Sequence, residues 1–503
     1  MNKVLSIIFI VLFHMGTSAQ TRGFYQTFSD PEGKTWRVND VIETENSYLL
    51  MLRENSNPKK ESKLMALSLE GEILGETRIA ATDTAVNVCR LFLPLGDNNH
   101  VVGIGFCTSP DDNVLLLMLG FDVELNVVSR SMTPLPFPDN SDYYLEDHRF
   151  LQVVDGGYFA VFTFSGLPSQ RIIILCKISN EGQIVEFVEL EDPSIYYVAS
   201  LFHVHDCPNG VGVFAAKQIP AEHVTSCALV YDDSLRLKKN YNITNIYEDD
   251  GIGHVYGGDI KASNSMMIAS HNEGYFISSR LYEYTTSTND QASFLAKTDS
   301  SFVIQSQYCI IGHFNDTIEA PAFFKSVDVN GEGMVFQCSM QNLNYGSWPY
   351  GSNGTHLVVT KTDLDLNVLW QKRFMRDGNI YSAFQTMATS DGGCLILGNV
   401  YDHNPELYQD VFALKINADG TVGLDEIQEE NMAFVYPNPA KETIRIGGVE
   451  AEETDVYNTL GQRVMNFRGN EASVVALTTG TYVLRVTDID NKNHTLRVVV
   501  VDK

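Results

Sequence analysis

Two histidines separated by one residue, His203 and His205 in the run HVHD, have the type and spacing to do chemistry. On a strand, alternate residues share a face, which suits two imidazoles to one metal ion. A third ligand is not visible beside them, so the pattern predicts solvent-facing or hydrogen-bonded rings and no metal site. The run DLDLN (363–367) opens like a calcium loop, but it lacks glycine at its sixth position and places Phe374 where the twelfth-position glutamate would bind. It reads as a hairpin turn. The acidic pairs Asp232–Asp233 and Asp249–Asp250 fall in loops without a visible partner. No Gly-x-Ser-x-Gly nucleophile elbow and no phosphate-binding glycine loop occurs. The sequence therefore assigns no catalytic residue and no cofactor, and nothing in it argues for catalysis.

Binding is better represented than chemistry. Tyr282 and Tyr284 lie in YEYTT, Tyr345, Trp348 and Tyr350 in NYGSWPYGSNG, and Tyr401, His403 and Tyr408 in VYDHNPELYQ. Exposed tyrosine and tryptophan offer large contact area at small entropic cost, so these eight residues are the candidate ligand contacts.

The elements that position them come from a repeated phrase. VDGGYFAVFT (154–163), SDGGCLILGN (390–399) and, more loosely, HNEGYFISSR (271–280) each place a glycine turn before an apolar strand. Aligned on that phrase, the chain yields seven modules spaced by about 50–65 residues, their second strands beginning near Tyr48, His100, Tyr158, Val211, Tyr275, Met334 and Cys394. Each continues into a β-rich run, an Asp/Asn/Gly turn and another strand, as in IIILCKISNEGQIV (172–185), which is hairpin chemistry. Seven four-stranded meanders predict an all-β fold, a seven-bladed β-propeller. The seventh module lacks a fourth strand, and RGFYQTFS (22–29) is predicted to supply it by pairing with the strand over 411–416. Short turns then share one face of the ring. The long connections 130–147, 243–258, 281–292, 340–355 and 400–410 share the other, which is the predicted binding face.

Composition limits partners and address. The 503 residues carry 35 basic and 63 acidic side chains, a net charge of −28, which disfavours nucleic acid and anionic lipid. Residues 1–19 combine Lys3, an apolar run over 4–13 and small residues to Ala19, a secretory signal peptide. No later segment is apolar for long enough to span a bilayer, so the mature chain is predicted to have no transmembrane segment. Of the eight cysteines, Cys89 and Cys107 could face each other across a hairpin, and Cys107, Cys338 and Cys394 fall within apolar strands as core residues.

After an acidic linker (425–432) the texture changes. FVYPNPAKETIRIGG, TDVYNTLGQRVMNF, ALTTGTYVLRVTD and TLRVVVVDK form a small β-sandwich over 433–503. Tyr436, Pro437, Asn438, Pro439 and Ala440, then Leu460-Gly461-Gln462, then Gly480 and Tyr482-Val483-Leu484 closely resemble the type A C-terminal sorting domain of type IX secretion substrates in the Bacteroidetes, with Asn458 where that family more often has Asp. The resemblance implies passage through the periplasm, handling by the type IX machinery, and release or attachment at the outer-membrane surface. SDPEGKTW (29–36) resembles the Asp-box turn of sialidase-like propellers, but Asp30 sits one place early, Pro31 occupies its slot, and the phrase occurs once. It is read as a turn.

The combined expectation is a secreted or cell-surface propeller over 20–424 that binds a glycan or a protein through its long-loop face. The alternatives are an extracellular polysaccharide hydrolase or lyase with acidic residues near the channel, and a scaffold subunit of a surface complex.

Overall fold

The computed structural model describes residues 23–55, 61–79, 86–93, 100–108, 113–136, 144–153, 156–166, 170–190, 192, 194–205, 207–218, 224–243, 247–249, 255–257, 267–271, 274–283, 291–310, 320–341, 355–375, 379–402, 409–422, 428–436, 438 and 440–501. Among these, seven antiparallel sheets follow one another as blades, each a meander from an inner to an outer strand.

Blade 1 comprises Trp36–Glu43, Ser47–Glu54, Ser62–Ser68 and Ile73–Ile79. Blade 2 comprises Val86–Phe92, Val101–Thr108, Val114–Phe121 and Val127–Pro134, and blade 3 Tyr144–Gln152, Tyr158–Gly166, Gln170–Ile178 and Ile184–Glu189. Blade 4 runs Ile195–Val204, Cys207–Gln218, Val224–Tyr231 and Leu237–Ile243. In blade 5, Met267–His271, Gly274–Glu283, Gln291–Asp299 and Ile304–Ile310 are joined by a hairpin of Tyr247–Asp249 and Val255–Gly257. Blade 6 has a first strand broken into Ala320–Pro321 and Val327–Val329, then Val335–Gln341, His356–Thr362 and Val368–Met375. Blade 7 has Asn379–Ala388, Cys394–Asp402 and Gln409–Ile416, and Phe24–Phe28 lies antiparallel along the last of these, Phe24 opposite Lys415 and Phe28 opposite Val411.

Burial explains the strand sequences. Second strands such as YFAVFTFSG are buried along nearly their whole length, because both faces pack on neighbouring blades. The outer strand VVSRSMTP is almost wholly exposed, and Arg130 at its middle and Pro134 at its end guard the edge. Inner strands touch between blades 1 and 2 and from blade 3 through blade 7, and that of blade 7 touches that of blade 1, while blades 2 and 3 share a core that includes Phe106, Met118, Phe150 and Phe162.

One turn recurs directly after the third strand in all seven blades. A Ser, Asp or Asn carbonyl accepts the amide three residues on, as at Ser68–Gly71, Asp122–Leu125, Ser179–Gly182, Asp232–Leu235, Asp299–Phe302, Asp363–Leu366 and Asn417–Gly420. The fourth residue has positive φ in every case, from 52° at Leu235 to 91° at Gly71. Glycine meets that demand freely. Leu125, Leu235, Phe302 and Leu366 meet it by burying their side chains in the inter-blade core. The run DLDLN is such a turn, with Asp363 Oδ1 accepting the amides of Asp365 and Asn367 at 2.9 Å each.

The phrase SDPEGKTW forms a staple. Asp30 accepts the Trp36 indole N–H at 2.6 Å and the Glu32 amide at 2.9 Å, and pairs with Arg78 at 3.3 Å and Lys63 at 3.7 Å. It thereby ties the segment entering blade 1 to the outer strands of that blade. Cys89 and Cys107 do not oppose one another: Cys107 pairs with Val86, Cys89 sits in a bulge, and both are free, buried thiols.

Part of the acidic stretch after the propeller is a strand. Gln428–Asn431 pairs antiparallel with the outer strand of blade 6, Arg373 opposite Glu430. Beyond it, Phe434–Tyr436, Thr443–Gly447 and Glu471–Ser473 form one sheet. Arg463–Phe467, Ala451–Asn458, Gly480–Asp488 and Asn493–Val500 form a second, and Val456, Leu484, Val486 and Val498 are buried between the two. Asn438 locks the entry corner onto the last strand, accepting the Val499 amide at 2.8 Å and donating to the Arg497 carbonyl at 3.2 Å. Gly461 takes φ 73° in a turn built on Asn458, and the Tyr482 hydroxyl donates to the Thr478 carbonyl at 2.7 Å.

Candidate functional site

The inner strands of the ring are irregular. Register breaks leave Asn39, Cys89, Glu146, Ala199 and Phe384 as extra residues in the inner strands of blades 1, 2, 3, 4 and 7. In blade 6 the inner strand leaves its sheet altogether. There Phe323 and Phe324 donate to Ala383 and Phe384 carbonyls of blade 7 at 3.0 and 2.9 Å. Bulges re-aim side chains next to sites, and three of these residues, Asn39, Cys89 and Glu146, line a cavity.

That cavity has a volume of about 380 Å³, within the usual range for ligand pockets. Blades 1, 2, 3, 4 and 6 contribute to its wall. Arg37 is the second residue of its strand, Asn87 the second of its own, and Arg53 the last but one before the second-to-third connection of blade 1. The cavity thus opens toward the end of the ring where the long connections lie.

Four arginines line it: Arg37, Arg53, Arg90 and Arg149. Arg149 is fully engaged, donating to the Ala199 carbonyl at 2.6 Å, the His148 carbonyl at 2.7 Å and the Tyr197 hydroxyl at 2.7 Å, and pairing with Asp147. Arg90 stands 3.4 Å from Asp40, whose carboxylate also accepts the Leu91 amide at 2.8 Å. Glu146 pairs with Arg171 at 2.8 Å and accepts the Ser165 hydroxyl. The acids around the cavity are therefore already partnered.

Arg37 and Arg53 are different. They are direct partners across the first two strands of blade 1, and neither makes an ion pair with a carboxylate among the described residues. The Arg37 guanidinium lies 4.8 Å from the Phe324 ring centroid and 5.6 Å from that of Phe384, and its Nε has no hydrogen-bond partner. Burial, with Arg53 beside it, pulls Arg37 down to about 10, and burial lowers Arg53 as well. Both remain cations at neutral pH. Burial, then Arg149, Arg53 and Arg37, hold His148 well below the ordinary imidazole range, so it stays neutral.

Of the aromatic candidates, Tyr401 is described. It is the last but one residue of the second strand of blade 7, opposite Ile380 and half-buried, and burial pushes its phenol up to about 12 while Arg37 pulls the other way. The backbone of Tyr282 pairs with Gln291 and Gly257 in blade 5. Tyr284, Tyr345, Trp348, Tyr350, His403 and Tyr408 lie outside the described residues, as do Pro437 and Pro439. His203 is exposed, while His205 Nε2 bonds the Gly274 carbonyl at 3.0 Å. Among the described residues no group of three or more His, Cys, Asp or Glu side chains is arranged to hold a metal ion.

The arginines were missed in the sequence. A signal existed, since Arg37, Arg90 and Arg149 each occupy the first strand of successive modules, but Arg53 joins them only through cross-strand register.

No curated protein matches the chain. Among solved structures, it is similar to the β-propeller domain of the Trilobed protease from Pyrococcus furiosus, at 9% identity and TM-score 0.39, over 78% of this chain and 97% of that one. It is also similar to the polysaccharide lyase Uly1, at 9% identity and TM-score 0.42, over 76% and 90%. A third is an α-L-arabinanase from Penicillium chrysogenum, at 9% identity and TM-score 0.33, over 55% and 95%. Among the described residues no helix is long and apolar enough to cross a membrane. Residues 434–501 match the secretion system C-terminal sorting domain family, so this seven-bladed propeller ends in the sorting domain of type IX secretion substrates, which implies export to the cell surface or secretion.

Proposed function

We propose that the chain is an exported, non-enzymatic propeller that binds a glycan at the long-loop end of its channel, reached after removal of its leader at Ala19. The observation that carries this reading is the cavity of about 380 Å³, walled by five blades at the end where the long connections return. Inner strands hold its wall, and the candidate aromatics of 281–292, 340–355 and 400–410 belong by their place in the chain to connections of the long-loop face, where binding residues on a scaffold concentrate. The acids near the cavity are engaged as partners of arginines, which supports binding over general acid–base chemistry.

A glycan array probed with the chain from Gln20 to Lys503, beside the same protein carrying Trp348→Ala and Tyr350→Ala, tests this. The expected result is a defined set of glycans that the double substitution loses. Shortened products in place of retained polymer would move the reading to a hydrolase or lyase. Stable co-purification with surface proteins and no glycan signal would move it to a scaffold.

A further inference from the structure

We infer that Arg37 and Arg53 form a carboxylate-binding site within the cavity, and that the glycan it takes carries uronic acid residues. The inference rests on the glycan-binding reading above and deepens it.

Two like charges directly opposite on neighbouring strands repel, and a fold keeps such a pair where something else compensates it. Here the compensation is not internal. The carboxylates lining or flanking the cavity are used by other cations: Asp147 by Arg149, Asp40 by Arg90 and Glu146 by Arg171. Two positive charges are left over, within a chain whose net charge is −28. Such a local reversal concentrates one anion at one place.

Arginine geometry narrows the anion. A guanidinium presents paired N–H donors that match a carboxylate bidentately. The Arg37 guanidinium packs 4.8 Å from the Phe324 ring centroid and 5.6 Å from that of Phe384, contacts that restrict its side chain before any ligand arrives. Asn39 Nδ2 donates to Asn87 Oδ1 at 3.1 Å and to the Val88 carbonyl at 2.7 Å, which leaves the Asn39 amide oxygen, the Asn87 amide nitrogen and neutral His148 in the wall as the polar groups suited to hydroxyls. Phe324 adds an apolar ring to the wall. A carboxylate beside a ring bearing hydroxyls, which is a uronic acid residue, satisfies all of these at once.

The test is calorimetric titration of the chain from Gln20 to Lys503 with trimers of galacturonate, glucuronate and mannuronate, at constant ionic strength. The methyl ester of the bound trimer and inorganic sulfate serve as controls. The expected result is saturable binding of at least one trimer and about a tenfold to hundredfold loss in Arg53→Gln. The ester, which keeps the ring but not the charge, is expected to bind no better than that variant. Arg53→Gln removes a repulsion, so it is expected to melt cooperatively at or above the parent temperature, and Arg53→Lys, which keeps charge without the fork, is expected to recover only part of the affinity. Binding of no trimer by folded protein overturns the inference, as does equal binding of acid and ester, equal binding by Arg53→Gln, or binding of sulfate alone. A neutral glycan captured on the array through Trp348 and Tyr350, with no effect of Arg53→Gln, would overturn this inference while leaving the exported glycan binder intact.

Discussion

Tyr25 and Tyr381, 356 residues apart in the chain, meet hydroxyl to hydroxyl at 3.3 Å with their rings edge to face at 6.4 Å. Phe412 packs against both, its centroid 6.4 Å from Tyr25 and 5.3 Å from Tyr381. The three rings run from the outermost to the innermost strand of blade 7, so the strand from the start of the chain is locked into the sheet near its end. Hydrogen bonds alone would leave that strand replaceable by water. The rings add burial and a defined register.

Replacing Tyr25 by Ala is therefore expected to cost about 3–5 kcal/mol, the usual penalty for a buried aromatic. Tyr25→Phe, which removes one hydroxyl and keeps the ring, is expected to cost about 1 kcal/mol. Equilibrium denaturant unfolding measures both. Equal costs for the two would show that the hydroxyls, and not the rings, hold the strand.

The leucines at positive φ make a second prediction with an unusual order. Leu235 has φ 52° and is 4% exposed, so it balances roughly 1–2 kcal/mol of backbone strain against buried apolar area. Leu235→Ala loses the burial and keeps the strain. Leu235→Gly loses the same burial and releases the strain. The glycine variant is expected to be more stable than the alanine variant by about 1 kcal/mol, the reverse of the order in ordinary strand positions. Thermal melts of the two proteins give the sign directly.

Asp30 makes the third prediction. Burial alone would raise its pKa, but the Trp36 indole, the Glu32 amide, Lys63 and Arg78 together bring it below the ordinary 3.8. A group whose folded value is depressed adds stability above its unfolded value and loses it as pH falls through the folded value. Asp30→Asn is expected to be less stable than the parent at pH 7, with the gap closing as pH falls below 3.8. Stability measured from pH 7 to pH 2 checks it. A gap independent of pH would mean that the amide is penalised for its shape and not for its charge.

These cases also show what can be read from a sequence of this kind. The turn phrase is written in local residues, Asp, Ser or Asn followed three places on by Gly or by a buried Leu or Phe, so blade number and strand order follow from spacing alone. The sorting tail is legible for the same reason, its corner and turns resting on Asn438 and Gly461. The cavity is not local. Arg37 and Arg53 look like unremarkable strand residues 16 positions apart, and only the pairing register brings them face to face. The broken inner strand of blade 6 is equally hidden, because Phe323 and Phe324 read as core residues until the chain is seen to bond blade 7 through their backbone amides. The stretch 428–431 read as solvated linker from its acidic composition, while its pairing depends on an outer strand rich in Lys and Arg more than 50 residues earlier.

That last strand gives a prediction about the junction between propeller and sorting domain. The Met432 amide donates to the Gln371 carbonyl at 3.2 Å, and in an antiparallel ladder the amides that face the partner strand recur at every second residue. The Glu430 amide, opposite Arg373, therefore points at blade 6, and the Glu429 amide points outward. Proline removes an amide donor, so its effect depends on which way that donor faced. Glu430→Pro is expected to free the strand and to speed protease cleavage within 423–433 by about 5–30-fold, as a loss of one to two kcal/mol would give. Glu429→Pro is expected to leave the cleavage rate within about twofold of the parent, because its donor faces away from the blade. Timed proteolysis of the two variants, followed by mass analysis of the fragments, separates a paired junction from a solvated one. Equal cleavage of both variants and the parent would mean that the strand does not hold the tail to the propeller.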